Sequence, residues 1–152
     1  HAHIDHVFGC NFIFNHYGLA PRFYHLEKTL YDFAPGIAIK YGMPPMTMPE
    51  AGEFITLDEV LNVGSIQFKI LFTPGHSPGS ICFYNAENSI IFSGDVLFEG
   101  SIGRTDLPGG NHQQLLNSIQ QQLFTLPAAT NVYSGHGNIT QIGLEKMTNP
   151  FF

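Results

Sequence analysis

Apolar residues recur along this chain at two periods, and the periods assign most of its elements. Asp5 can cap a helix running to about Tyr17, in which Val7, Cys10, Phe14 and Tyr17 fall at helical spacing and Gly18 supplies the stop. Pro21 to Leu26 reads as a short strand, and Leu26 to Phe33 as a short helix ended by Pro35-Gly36. The Pro- and Met-rich stretch from Gly42 to Glu53 is irregular and could overhang a site, although the Met and Phe side chains between Tyr41 and Phe54 are expected to cover the core sooner than to wall a substrate. Ser65 to Thr73, Ser80 to Tyr84 and Ser89 to Ser93 have strand content and are separated by turn residues, which predicts an antiparallel meander. From Asn111, a good N-cap, Leu115, Leu116, Ile119 and Leu123 make one apolar face opposite Gln and Asn, as in a helix lying on a sheet. Asn131 to Ser134 predicts a last strand and Ile139 to Met147 a final short helix. The fold class is therefore α/β (α+β), without internal repeats.

Composition narrows the class. A chain of 152 residues with 43% hydrophobic content, 14 Phe and 6 Tyr can bury one core, so residues 1–152 are expected to form one domain. Only 12% of residues are charged and the net charge is -6, which leaves no basic surface to follow a phosphate backbone and argues against nucleic acid. Apolar runs such as Ile66 to Phe72 fall far short of the roughly 20 residues that span a membrane. Cys10 and Cys82 follow no paired motif, so two buried thiols in a reducing, cytoplasmic compartment are expected.

The polar residues at strand ends carry the chemistry. Leu71-Phe72-Thr73-Pro74-Gly75-His76 places an imidazole in a tight turn just past a strand, Phe92-Ser93-Gly94-Asp95 does the same with a carboxylate, and Tyr133-Ser134-Gly135-His136 again with an imidazole. At the start of the chain stands His1-Ala2-His3-Ile4-Asp5-His6. Together these segments give five His and two Asp, enough for two metals with water completing their shells. In an extended segment alternate side chains point the same way, so His1 and His3 can grip one ion while His6 faces elsewhere, which makes a second ion natural. His16, His25 and His112 sit at no strand-end turn and are expected to be surface or structural residues. Arg104 and Asp106 are expected to pair or pin their loop, with Thr105 and Ser101 bracing it, and Gly109-Gly110 to allow a turn before the helix.

In combination these segments resemble the metallo-β-lactamase superfamily, and within it the glyoxalase II-like hydrolases. The H-x-H-x-D-H cluster, the T-P-G-H-S-P-G-S turn, the S-G-D strand end and the G-H-G ending occur in that family's order, over nearly the whole chain. The stretch Leu97-Phe98-Glu99-Gly100-Ser101-Ile102-Gly103-Arg104-Thr105-Asp106-Leu107-Pro108-Gly109-Gly110 is similar to the small single-domain group of that class. The resemblance implies an αββα sandwich. It implies that His1, His3 and His76 bind one metal, that Asp5, His6 and His136 bind another, and that Asp95 bridges them. Zinc is the first expectation, with iron and manganese also suited to such ligands. Strands that precede the H-x-H-x-D-H loop in the family have no counterpart here, so the chain is expected to be the C-terminal portion of a domain of roughly 200 residues. A sheet face or edge would then be uncovered.

The implied function is thioester hydrolysis of the hydroxyacylglutathione type on a small-molecule substrate. A hydroxide bridging the two cations would be the nucleophile, and Asp5 would orient it as the catalytic residue. Other readings are a persulfide dioxygenase-like enzyme with one iron on His1, His76 and Asp95, a lactonase, and a non-catalytic binding module that has kept the fold.

Overall fold

In the computed structural model, which describes residues 1–152, the alternating apolar positions between Val60 and Gly94 fold as four consecutive antiparallel strands, β1 (Val60–Val63), β2 (Ile66–Phe72), β3 (Ile81–Asn85) and β4 (Ile90–Gly94). The chain packs as two units, His1–Thr56 and Leu57–Phe152. The predicted meander is present in the second unit. β1 adds a strand to it that was not expected, although Val60-Leu61-Asn62-Val63 before Gly64-Ser65 carried the signal.

The second unit continues through a two-stranded hairpin, β5 (Leu97–Phe98) with β6 (Ser101–Ile102), to α4 (His112–Ser118), which runs on as a π-helical turn over Ile119–Leu123. Asn111 caps α4 as expected, its Oδ1 accepting the Gln114 N–H at 3.0 Å. Then come β7 (Asn131–Ser134), β8 (Thr140–Gln141) and α5 (Ile142–Thr148), so the final helix starts later than the pattern suggested. The six-stranded sheet has the order β1-β2-β3-β4-β7-β8, with β7 parallel to β4 and antiparallel to β8.

Register sorts the sheet's two faces. Leu71, Cys82, Ile91 and Val132 point to one side, where they pack with Leu115, Ile119 and Leu123. Those three helical side chains are fully buried, which contributes about 2 kcal/mol each. The opposite face carries an aromatic row of Phe68, Phe92 and Tyr133, with Phe92 43% exposed.

The first unit holds α1 (Ile4–Val7), α2 (Cys10–Tyr17), a 3-10 turn over His25–Glu27 and α3 (Lys28–Lys40). The single helix expected from Asp5 to Tyr17 is therefore two. They are interrupted at Phe8-Gly9, where glycine is the poorest helix former short of proline. Gly18 ends α2 as predicted, left-handed at φ 69° with its N–H on the Phe14 carbonyl. The helical face foreseen on α2 is not buried, and Phe12, Ile13, Phe14 and Tyr17 stay exposed.

Pro35-Gly36 does not stop α3, which runs on to Lys40. Proline inside a helix costs about 3 kcal/mol. Burial of Tyr31, Ala34 and Ala38 on one face offsets it, as does the bond from the Tyr31 hydroxyl to the Pro49 carbonyl at 2.7 Å. The strand expected at Pro21 to Leu26 is reduced to one parallel bridge, Tyr24 to Ile55, with Gly52 and Ile55 N–H groups donating to the Pro21 and Phe23 carbonyls. Residues 43 to 50 are irregular, as expected. No helix is long and apolar enough to cross a membrane.

Of the two thiols, Cys82 is fully buried and Cys10 only partly so, which corrects the expectation of two buried cysteines. Cys10 lies on α2, the helix without buried residues.

Candidate metal centre

Strand direction decides where the polar strand ends go. β2 and β4 are both antiparallel to β3, and β7 is parallel to β4, so β2, β4 and β7 all run the same way. The turns bearing His76, Asp95 and His136 therefore leave from the C-terminal ends of these strands, the edge at which open α/β sheets place their ligands. The Gly135 N–H bonds the Gly94 carbonyl at 2.8 Å and locks two of those turns together.

His76 is 3% exposed, and its Nδ1 lies 2.8 Å from the Arg104 carbonyl oxygen. A carbonyl can only accept, so Nδ1 is the donor and Nε2 presents its lone pair. That Nε2 faces Asp95 Oδ2 at 3.7 Å, and His136 Nε2 lies 3.5 Å from the same oxygen. Both separations exceed a hydrogen bond. They are close to about 3.4 Å, the spacing of two ligands each about 2.1 Å from a tetrahedral cation. Asp95 Oδ2 thus stands between two imidazole nitrogens. Imidazole nitrogen and carboxylate oxygen are donors that suit zinc, iron or manganese, so this set fits a divalent metal.

The turn around His76 is tied down by backbone and hydroxyl bonds. Ser118 donates to the Pro74 carbonyl, the Asn111 N–H to the Gly75 carbonyl, and Ser77 and Ser80 hydroxyls meet at 2.6 Å. Gly75 has φ 134°, and a Cβ there would strike the backbone of Leu115. Such second contacts orient the ligands themselves.

In the first unit, His1, His3, Asp5 and His6 are brought together by α1. The His6 N–H donates to the His3 carbonyl at 3.0 Å, and the His1 ring lies 4.8 Å from His3 and 4.0 Å from His6, centroid to centroid. His6 offers its ring nitrogen with Asp5 and not with the pair His1 and His3, as expected, although its ring lies beside that of His1. His6 Nε2 is 3.6 Å from Asp5 Oδ2, and His1 and His3 each offer a ring nitrogen within 4.8 Å of the other.

His16, His25 and His112 are exposed, as expected, with His16 stacked on Phe12. Two residues with a bearing on the site carried no sequence signal of it. Glu27 reads as an ordinary acid near a helix start but is fully buried, and Gly103 reads as a loop glycine but presses against the Asp95 backbone.

Arg104 forms the expected pair. Its Nε and Nη2 each donate to one oxygen of Asp106 at 2.7 Å, a two-pronged contact that holds the Asp106 carboxyl down at about 2 from an ordinary 3.8. Because the folded value is depressed, the associated stability is complete above pH 3.8 and is lost as pH falls through about 2. Carbon-13 titration should place the Asp106 midpoint near 2, and Arg104→Ala should return it to near 3.8. A midpoint near 3.8 with Arg104 present would disprove the fork. Gly110 closes the expected turn on the Leu107 carbonyl, and Ser101 braces the hairpin through its carbonyl, which accepts from Asn149.

The sequence pattern of the Metallo-beta-lactamase superfamily matches residues 1–136, and the chain belongs to that superfamily of metal-binding hydrolases. It is 41% identical over 153 residues to "Probable metallo-hydrolase YqgX" of Bacillus subtilis (strain 168), covering 99% of this chain and 72% of that protein. To "Hydroxyacylglutathione hydrolase GloC" of Haemophilus influenzae (strain ATCC 51907 / DSM 11121 / KW20 / Rd) it is 38% identical over 154 residues, with the same two coverages, 99% and 72%. Among solved structures, TTHA1623 in a di-iron-bound form superposes with a TM-score of 0.91 at 38% identity, over 100% of this chain and 74% of that one. The mixed α and β fold expected for this class is the one present.

Proposed function

We propose that the protein is a dinuclear metal-dependent thioester hydrolase of the hydroxyacylglutathione hydrolase type. The observation that carries this reading is Asp95 Oδ2 set between the Nε2 atoms of His76 and His136 at 3.7 and 3.5 Å. The thioester preference draws its support from the likeness to the hydroxyacylglutathione hydrolase GloC, 38% identical over 99% of this chain.

In this reading His1, His3 and His76 hold one cation, Asp5, His6 and His136 the other, and Asp95 both. When bound, such a pair makes hydroxide available near neutral pH and polarises the substrate carbonyl, with zinc the first candidate and iron or manganese the alternatives. The chain's own part is to hold and orient. The Arg104 carbonyl keeps the proton of His76 on Nδ1 and so directs Nε2 inward. Asp5, half exposed beside His6, accepts a hydrogen bond from the attacking water and aims it at the carbonyl carbon. The C–S bond then breaks to give a carboxylate and a thiol, and a thiolate leaves readily without a dedicated acid. Cys82 does not compete as a nucleophile, because burial pushes its thiol up to about 12.

Elemental analysis together with hydrolysis of S-lactoylglutathione tests the proposal. About two metal ions per chain and thioester turnover that a chelator abolishes are expected. One iron per chain with oxygen uptake on a persulfide would replace this reading with a dioxygenase, and turnover of a lactone alone with a lactonase. Absence of both metal and turnover would leave a binding module.

A further inference from the structure

Glu27 ends the 3-10 turn that leads into α3 and is fully buried. Its Oε2 accepts the backbone N–H of Ala2 at 2.7 Å. Ala2 is itself 2% exposed and packs in a cluster with Val7, Phe23, Tyr31 and Ala34. A carboxylate is among the costliest groups to take out of water, and near a helix start it could have remained solvated at no cost to the fold. One of its oxygens is set against the Ala2 amide, which bears on what that amide holds in place. Ala2 lies between His1 and His3, and its N–H belongs to the peptide that joins it to His1. Fixing that peptide plane fixes the backbone from which both imidazoles project, whose rings stand 4.8 Å apart and edge to face.

We propose that Glu27 is a positioning residue for the metal, acting through the Ala2 amide to set the His1 and His3 rings in their ligating arrangement before the ion arrives. This rests on the reading of His1 and His3 as ligands. A charged acceptor makes a shorter and stronger bond to a backbone N–H than a neutral one, and 2.7 Å is the length such a bond takes. Residues that orient metal ligands from behind typically change affinity by about 10- to 100-fold when removed.

The test uses the full chain, stripped of metal and titrated with zinc against a chromophoric chelator, with unfolding midpoints of the metal-free proteins measured in parallel. Glu27→Ala is expected to weaken zinc binding by about 10- to 100-fold. Glu27→Gln, whose amide oxygen reaches the same N–H, is expected to stay within a few-fold of the unaltered protein. Unchanged affinity in Glu27→Ala, equal weakening in both variants, or a loss of affinity that merely follows a fall in the unfolding midpoint would overturn the proposal, since a purely structural acid would act through stability alone. If Glu27→Ala fails to fold, the amide proton of Ala2 in the unaltered metal-free protein decides: a downfield, slowly exchanging signal supports the bond, and rapid exchange refutes it. Failure of the unaltered protein to bind zinc would remove this inference and the metal-site reading together. Zinc binding without thioester turnover would remove only the thioesterase.

Discussion

Asp95→Ala is expected to strip metal from the protein and lower thioester turnover by at least about 10³-fold, a loss of about 4 kcal/mol in barrier reduction. Asp95 is the only carboxylate among the three strand-end residues proposed as ligands, and its Oδ2 is within 3.7 Å of both His76 Nε2 and His136 Nε2. With alanine in its place, two neutral imidazoles at that edge of the sheet would face cationic charge that no anion there neutralises. Occupancy should fall from about two ions per chain toward one or none, as read by elemental analysis beside the hydrolysis rate. The side chain makes no contribution to the Leu115 core, so circular dichroism should change little. Retained occupancy by two metals would sink the bridging role, whatever the rate.

Gly103→Ala should be strongly damaging although Gly103 is itself no proposed ligand. A Cβ at this position would overlap the Asp95 carbonyl oxygen and come within 3.1 Å of His76 Cβ. Neither neighbour can yield cheaply. The first is backbone at the end of β4, and the second belongs to a turn held by Ser118 and Asn111. The expected cost is about 3 kcal/mol, at the upper end for overpacking, because the obstacle is main chain and not a flexible side chain. In the melting temperature this is of the order of 10 °C. The strain falls on two proposed ligands at once, so metal affinity should drop together with stability. A Gly103→Ala protein with unchanged melting temperature and metal content would show that this packing does not govern the site.

Much of the second unit was legible in the sequence because its signals are local. The period-two pattern of β2 to β4, the Asn111 cap and the apolar row through Leu115, Ile119 and Leu123 each depend on residues within a few positions of one another. The first unit was harder. Pro35-Gly36 is a clear local stop signal, yet α3 passes through it because Tyr31, Ala34 and Ala38 gain more by burial than the proline costs. No window of sequence contains that comparison.

By itself the sequence determined the chemistry available. It named seven side chains of types that bind metal, showed three of them at strand ends, and made the superfamily recognisable from the order of its motifs. Only the tertiary structure decided how those in each unit are aimed. It put His76, Asp95 and His136 at one edge of the sheet by running β2, β4 and β7 in the same direction, and it set the Arg104 carbonyl against His76, Gly103 against the Asp95 backbone and the buried Glu27 against the Ala2 amide. The physical reason is one of range. Residue type and short spacing fix which atoms can donate to a metal, but the direction of a lone pair is set by backbone groups tens of residues away, whose approach is governed by packing and strand pairing.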